Sequence, residues 1–190
     1  MEKSLRVEEA LGLELPAAAR GAVEREAVGA AFPKGACPVR AGERQRAAYL
    51  ILGGLVRGYY LDEGGREVTK CFCREGEFFS TEGLRTGGAS TFSVDCLEPC
   101  RCLSLPYALI RRVAAGDAQL NERLNALFLA ELGRAEGRAR DVLLLDAEQR
   151  YLAFCAERPD LAARVPLKYI ASYIGIQPGS LSRIRKTLGV

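Results

Sequence analysis

The chain has 190 residues, 27 Lys/Arg against 24 Asp/Glu and a hydrophobic fraction of 48%, which is enough for one large domain or two small ones. Histidine is absent. That removes the commonest general base and metal ligand, and with them His-dependent triads, His-ligated zinc enzymes and the His-ligated iron sites of cupin oxygenases. No apolar run reaches membrane-spanning length and the opening MEKSLRVEEA has no long apolar stretch, so a cytoplasmic protein without membrane association is expected.

Residues 4–31 read as helical with one break at Pro16. From Phe32 the texture changes. Tyr49-Leu50-Ile51-Leu52 is a short apolar run closed by Gly53-Gly54, and residues 55–61 form a second strand. Asp62-Glu63-Gly64-Gly65-Arg66 is a hairpin loop, residues 67–74 a third strand ended by Glu75-Gly76-Glu77. Residues 92–96 and 100–105 are two more strands around the Glu98-Pro99 turn. Short strands with Gly-rich turns at this spacing predict a small β-roll or barrel.

Seven cysteines are many for a cytosolic chain: Cys37, Cys71, Cys73, Cys96, Cys100, Cys102 and Cys155. The odd number and the reducing compartment argue against a disulfide framework. Period-two alternation puts Cys71 and Cys73 on one strand face and Cys100 and Cys102 on another, near Cys96. Facing strands would gather these thiols into a metal or redox site, but the C-x-x-C spacing of structural zinc is missing. Buried thiols filling a small barrel are the favoured reading, and no metal site or cofactor is assigned.

Residues 117–145 lack proline and predict a helix of about 40 Å. Leu120, Leu124, Leu127, Phe128, Leu132, Ala135, Ala139 and Val142 recur at spacings of three and four, as in a coiled-coil seam. Gly133 and Gly137 lie four apart and would admit a close partner. A helix this long needs a partner along most of its length, which predicts a homodimer; the alternative is that it covers its own β-domain. Tyr151, Leu152 and Cys155 are apolar anchors of the link that follows.

The last thirty residues carry five Lys/Arg and no acid, as a phosphate-facing surface requires. Val165-Pro166-Leu167 opens a helix with Leu167, Ile170, Ala171 and Ile174 on one face. Gly175 ends it, and Pro178 starts a second helix with Leu181, Ile184 and Leu188 inward. The pattern is a helix-turn-helix. Gln177, Pro178, Ser180, Ser182, Arg183, Arg185 and Lys186 are the candidate DNA-binding residues. Arg183, one turn in, suits guanine O6 and N7; Arg185 and Lys186 suit the phosphate backbone.

This order, with YLILGGLVRGYYLDEGGREVTKCFCREGEFF in the roll and LKYIASYIGIQPGSLSRIRKTL at the end, resembles the cyclic-AMP receptor/fumarate-nitrate regulator (Crp/Fnr) family of bacterial transcription factors. The resemblance implies an α+β fold: a cyclic-nucleotide-binding-like β-roll sensor with flanking helices over residues 1–115, a dimerisation helix over 116–145 and a helix-turn-helix domain over 146–190. It also implies a homodimer, double-stranded DNA and RNA polymerase as partners, and a small-molecule effector. The sequence departs from the family at three places. Ser90-Thr91 stands where nucleotide-binding members carry an Arg-bearing pair, so a cyclic phosphate loses its bidentate contacts and cyclic AMP is not the expected effector. Glu82, Arg85, Ser90 and Thr91 are the candidate effector residues. The family's clustered N-terminal cysteines for iron–sulfur sensing are missing, and the terminal β-wing is not expected after Leu188.

The expected function is sequence-specific transcription regulation. The alternatives are an effector-binding module that docks a protein partner, or a thiol-based redox sensor. No nucleophile–base pair supports an enzyme.

Overall fold

The computed structural model describes residues 1–189. Two compact units divide the chain: Met1–Tyr60 with Cys71–Leu127, and residues 61–70 with the chain from Phe128 onward. This division follows packing, so the long helix takes part in both units.

The first unit opens with α1 (Glu2–Leu11) and α2 (Ala17–Glu26). Val7, Leu11, Ala19, Ala22 and Val23 bury their apolar faces against Leu50, Leu103, Leu105 and Leu109. Residues 28–31 are not helical, contrary to the sequence reading: Val28–Phe32 is strand β1. Alanine-rich VGAAF has no strand signal of its own. Its pairing with β7 (Cys100–Pro106), from Val28↔Ser104 to Phe32↔Cys100, makes it one.

Strands β2 (Ala47–Gly53), β3 (Val56–Leu61), β4 (Glu67–Cys73), β5 (Phe78–Phe79) and β6 (Ser93–Cys96) complete two antiparallel sheets, ordered β1-β7-β2-β5 and β4-β3-β6. Between them lies an apolar filling of Val39, Ile51, Val56, Phe79, Phe92 and Val94 with three buried thiols. Gly54 joins β2 to β3 with φ +103, and a Cβ there would meet the Pro99 carbonyl oxygen at 2.5 Å. Only glycine fits both the dihedral and the space.

One ion pair in this unit escaped sequence reasoning. Arg57 on β3 is 1% exposed and faces Asp95 directly across β6, with Nε–Oδ1 and Nη2–Oδ2 distances of 3.0 Å. The guanidinium also lies 4.4 Å from the Tyr59 ring centre. Removing the carboxylate leaves a buried cation. Asp95→Ala is therefore expected to destabilise the protein by roughly 3 kcal/mol, read as a lowered denaturation midpoint with unchanged slope. An unchanged midpoint would show that the pair is not needed for stability.

After α3 (Gly83–Thr86) and α4 (Tyr107–Ala115) comes α5 (Ala118–Leu144). Leu120 stands apart from the rest of the predicted seam: it is 2% exposed and belongs to the core around α1 and α2, with Leu127 packed on the same core. Leu124 is half-buried, Phe128, Leu132 and Val142 are 52%, 53% and 46% exposed, and Ala135 and Ala139 are exposed. No helix among the described residues is long and apolar enough to cross a membrane.

In the second unit α6 (Ala147–Glu157) starts on a reciprocal cap. Asp146 accepts from the Gln149 N–H at 2.9 Å, and Gln149 accepts from the Asp146 N–H at 3.1 Å. Then follow α7 (Pro159–Arg164), α8 (Leu167–Tyr173) and α9 (Pro178–Leu188). Tyr151, Phe154, Leu161, Ile170, Ala171 and Leu181 are buried. Gly175 turns the chain between α8 and α9 at φ +74, and Pro178 takes the first position of α9.

Candidate nucleic-acid interface and sensor cassette

Leu181 is fully buried and anchors the inner face of α9, so the residues around it are forced outward. Gln177, Pro178, Ser182, Arg183 and Lys186 are exposed; Ser180 is half-buried. Arg183 Nη2 donates to Ser180 Oγ at 3.3 Å, while Ser182 Oγ and Thr187 Oγ1 donate to the carbonyls of Pro178 and Arg183. The Arg183 guanidinium thus leans on the helix start through a single weak bond. Arg185 takes a different course. It is half-buried beside the Tyr151 phenol, whose pKa is raised chiefly by burial and eased back by the Arg185 charge. Part of Arg185 therefore serves its own domain, unlike Lys186.

The second unit contains contacts with no local sequence signal, because the partners are far apart in the chain. Ser172 Oγ on α8 accepts the Thr69 N–H at 2.9 Å, 103 residues away. Arg138 on α5 donates to the Lys70 carbonyl at 2.8 Å and covers the Tyr173 ring at 4.7 Å. Gly133 and Gly137 line a cleft of about 470 Å³ with Arg138, Phe154 and Tyr173. At 100° per residue these glycines lie on the side of α5 opposite Leu132, Ala135 and Ala139. They give room to the chain's own cleft instead of a seam.

In the first unit the four cassette residues do not converge as an anion cradle. Glu82 Oε1 accepts the Thr91 N–H at 2.6 Å, which puts a carboxylate on the backbone donor of the position that would face a phosphate. Ser90 is buried and spends its hydroxyl on the Phe92 carbonyl at 2.6 Å. Arg85 and Thr91 are exposed. Inside the roll, Tyr49 stacks on Phe79 at 4.8 Å and meets Phe32 edge-on at 5.8 Å.

Thiols do gather, in a combination the strand alternation only partly foresaw. Cys96, Cys100 and Cys102 are buried in one apolar cluster with Cys73 packed against it. Cys71 lies apart, where a Cβ on Gly58 would come within 2.7 Å of its sulfur. Among the described residues no group of three or more Cys, Asp or Glu is placed to hold a metal ion.

This architecture has known counterparts. The profile of the cyclic nucleotide-binding domain family matches residues 30–117. Over 168 residues the chain is 21% identical to the cAMP-activated global transcriptional regulator CRP of Pasteurella multocida, covering 83% of this chain and 80% of that one. It is 33% identical over 88 residues to the nitrogen fixation regulation protein FixK of Azorhizobium caulinodans, covering 46% and 34% of the two chains. The structure of FixK2 from Bradyrhizobium japonicum superposes with a TM-score of 0.78 at 22% identity, over 86% of this chain and 84% of that one. The roll thus matches the cyclic nucleotide-binding domain family, and the order of roll, long helix and helix-turn-helix pair has the fold of FixK2.

Proposed function

We propose that the protein is a sequence-specific, DNA-binding transcription regulator of the cytoplasm, not an enzyme, that works as a homodimer and does not respond to cyclic AMP. The observation that carries DNA binding is the exposed face of α9. Ser182, Arg183 and Lys186 stand outward on a helix whose buried side is anchored by Leu181, in a thirty-residue stretch without a carboxylate. Such a helix presents donors and positive charge to the major groove. Gln177, Pro178 and Ser180 flank the groove face at its N-terminal end. The CRP of Pasteurella multocida is a global transcriptional regulator and FixK a nitrogen fixation regulation protein, which agrees with this reading. Contact with RNA polymerase belongs to the same reading.

The apolar side of α5 supports the dimer. Leu124, Phe128, Leu132, Ala135, Ala139 and Val142 form a continuous stripe that is half-buried to exposed in the single chain. A second copy of the same helix is the simplest cover for it. Selection of operator fragments from sheared genomic DNA, followed by gel shift with the full-length protein, tests the function. Retention of one sequence at least about a hundredfold over random DNA is expected; equal retention of all sequences would overturn sequence-specific regulation.

The sensor reading rests on Glu82. Its carboxylate occupies the Thr91 N–H and would repel a cyclic phosphate approaching that donor. Calorimetric titration with cyclic AMP is expected to give no heat of binding up to millimolar nucleotide. Micromolar binding would show that Glu82 swings away and that Arg85 supplies the missing guanidinium. The effector, on this reading, is a different small molecule taken by the roll.

A further inference from the structure

Cys96 and Cys100 stand at the two ends of the short connection between β6 and β7, and both lie against the same three residues. Cys96 is the register partner of Val56. Cys100 packs on Gly54 so closely that a Cβ there would meet its sulfur at 2.8 Å. The Leu55 carbonyl between them accepts the Leu97 N–H at 2.8 Å and the Cys100 thiol at 3.6 Å, which folds the connection tightly over that strand. Both thiols lie in the same apolar cluster inside the roll, each 1–2% exposed, and the Cys100 thiol also donates to the Glu98 carbonyl at 3.3 Å.

We propose that Cys96 and Cys100 form a reversible dithiol–disulfide couple in the core of the sensor roll, with a hydroperoxide as the oxidant. This inference does not depend on the DNA-binding reading. The roles of the two thiols follow from their contacts. The interaction between the two thiols holds Cys100 below its ordinary pKa, while the same interaction and burial push Cys96 up. Cys100 is the nucleophile and Cys96 the resolving thiol. Cys102 is excluded on two grounds. Burial pushes its pKa up to about 12. It also follows Cys100 by two positions along β7, where side chains on one face are about 6.6 Å apart, beyond the Cβ–Cβ reach of a disulfide.

The chemistry balances as two thiols plus hydrogen peroxide giving one disulfide and two waters. Cys100 sulfur attacks one peroxide oxygen; the S–O bond forms, the O–O bond breaks, and the leaving hydroxide takes a proton to become water. Cys96 sulfur then attacks the Cys100 sulfenic acid. The S–S bond forms, the S–O bond breaks, and hydroxide leaves with the Cys96 proton as the second water. A low-molecular-weight thiol reverses it. Access comes through local opening of the connection, whose Pro99 is exposed.

Trypsin cuts after Arg85 and Arg101, so residues 86–101 form one peptide with Cys96 and Cys100 as its only cysteines, and Cys102 falls on the next peptide. The folded full-length protein is treated with hydrogen peroxide, denatured, alkylated with iodoacetamide and digested. The expected result is a 86–101 peptide two hydrogens lighter and unalkylated, restored to the dialkylated form by dithiothreitol before alkylation. In Cys96→Ser, a dimedone adduct is expected on Cys100; in Cys100→Ser none is expected on Cys96. A fully alkylated 86–101 peptide after peroxide, a crosslink to the peptide carrying Cys102, or irreversible sulfonic acid at Cys100 would each overturn the proposal. The wild-type mapping stands alone if either variant does not fold.

Discussion

Replacing Phe128 and Leu132 together by glutamate should convert the dimer into folded monomers that bind operator DNA weakly. Both side chains are more than half exposed in the single chain, so the substitutions leave its own cores intact. Leu120 and Leu127 are unsuitable for this purpose because they pack on the core beneath α1 and α2. An apolar side chain of this size contributes about 1.5–3 kcal/mol when buried. Each substitution occurs twice across a two-fold axis, so the dimer weakens by roughly 6 kcal/mol, about four decades in dissociation constant. Losing one of two linked DNA-reading heads then lowers operator affinity by about a hundredfold or more. Sedimentation velocity and gel shift on the same samples check both effects. A wild-type protein that is monomeric at micromolar concentration removes the seam, and leaves the stripe to another partner.

Arg183→Ala and Lys186→Ala should fail in different ways. If Arg183 reads a guanine edge with two hydrogen bonds, its loss costs about 1–3 kcal/mol on the operator and flattens preference at one base pair per half-site. Its guanidinium is exposed and, among the described residues, held by Ser180 Oγ at 3.3 Å, so reorienting it toward a base breaks little. Lys186 is an exposed point charge one turn from Arg183 and, on the same reading, a phosphate donor. Its removal should weaken all sequences alike and lower the salt slope by about one unit per half-site. Arg185 is expected to show a smaller salt effect and a stability effect, because it is half-buried and its charge acts on the Tyr151 phenol. Competition between operator and random DNA over a salt series separates these outcomes. Equal loss on both DNAs for Arg183→Ala would falsify base reading and move the search to Gln177, Ser180 and DNA shape.

The helix-turn-helix was legible almost to the residue. Pro166, Gly175 and Pro178 each act through their own backbone, and they bound α8 and α9 as read. The long helix was legible for the same reason, from an uninterrupted period with no proline. Strands around Gly-rich turns were placed within a residue or two, since turn chemistry is local. Residues 28–31 were misread because an alanine-rich run carries helical propensity and becomes a strand only on β7.

The amino-acid sequence by itself determined the order roll, long helix, helix-turn-helix, the acid-free terminal face and the missing Arg in the cassette. These are properties of single residues and short periods, which act before any distant contact forms. Tertiary structure alone decided that Glu82 closes on Thr91, that Arg57 is buried against Asp95 and that Leu120 belongs to a core instead of a seam. It also decided that Gly133 and Gly137 face a cleft and that Cys96, Cys100 and Cys102 share one apolar cluster with Cys73 against it. Each of these depends on which segments, distant or merely adjacent, the packed chain brings within a few ångströms. A side chain's burial, partner and charge state are set by that packing and not by its neighbours in the sequence.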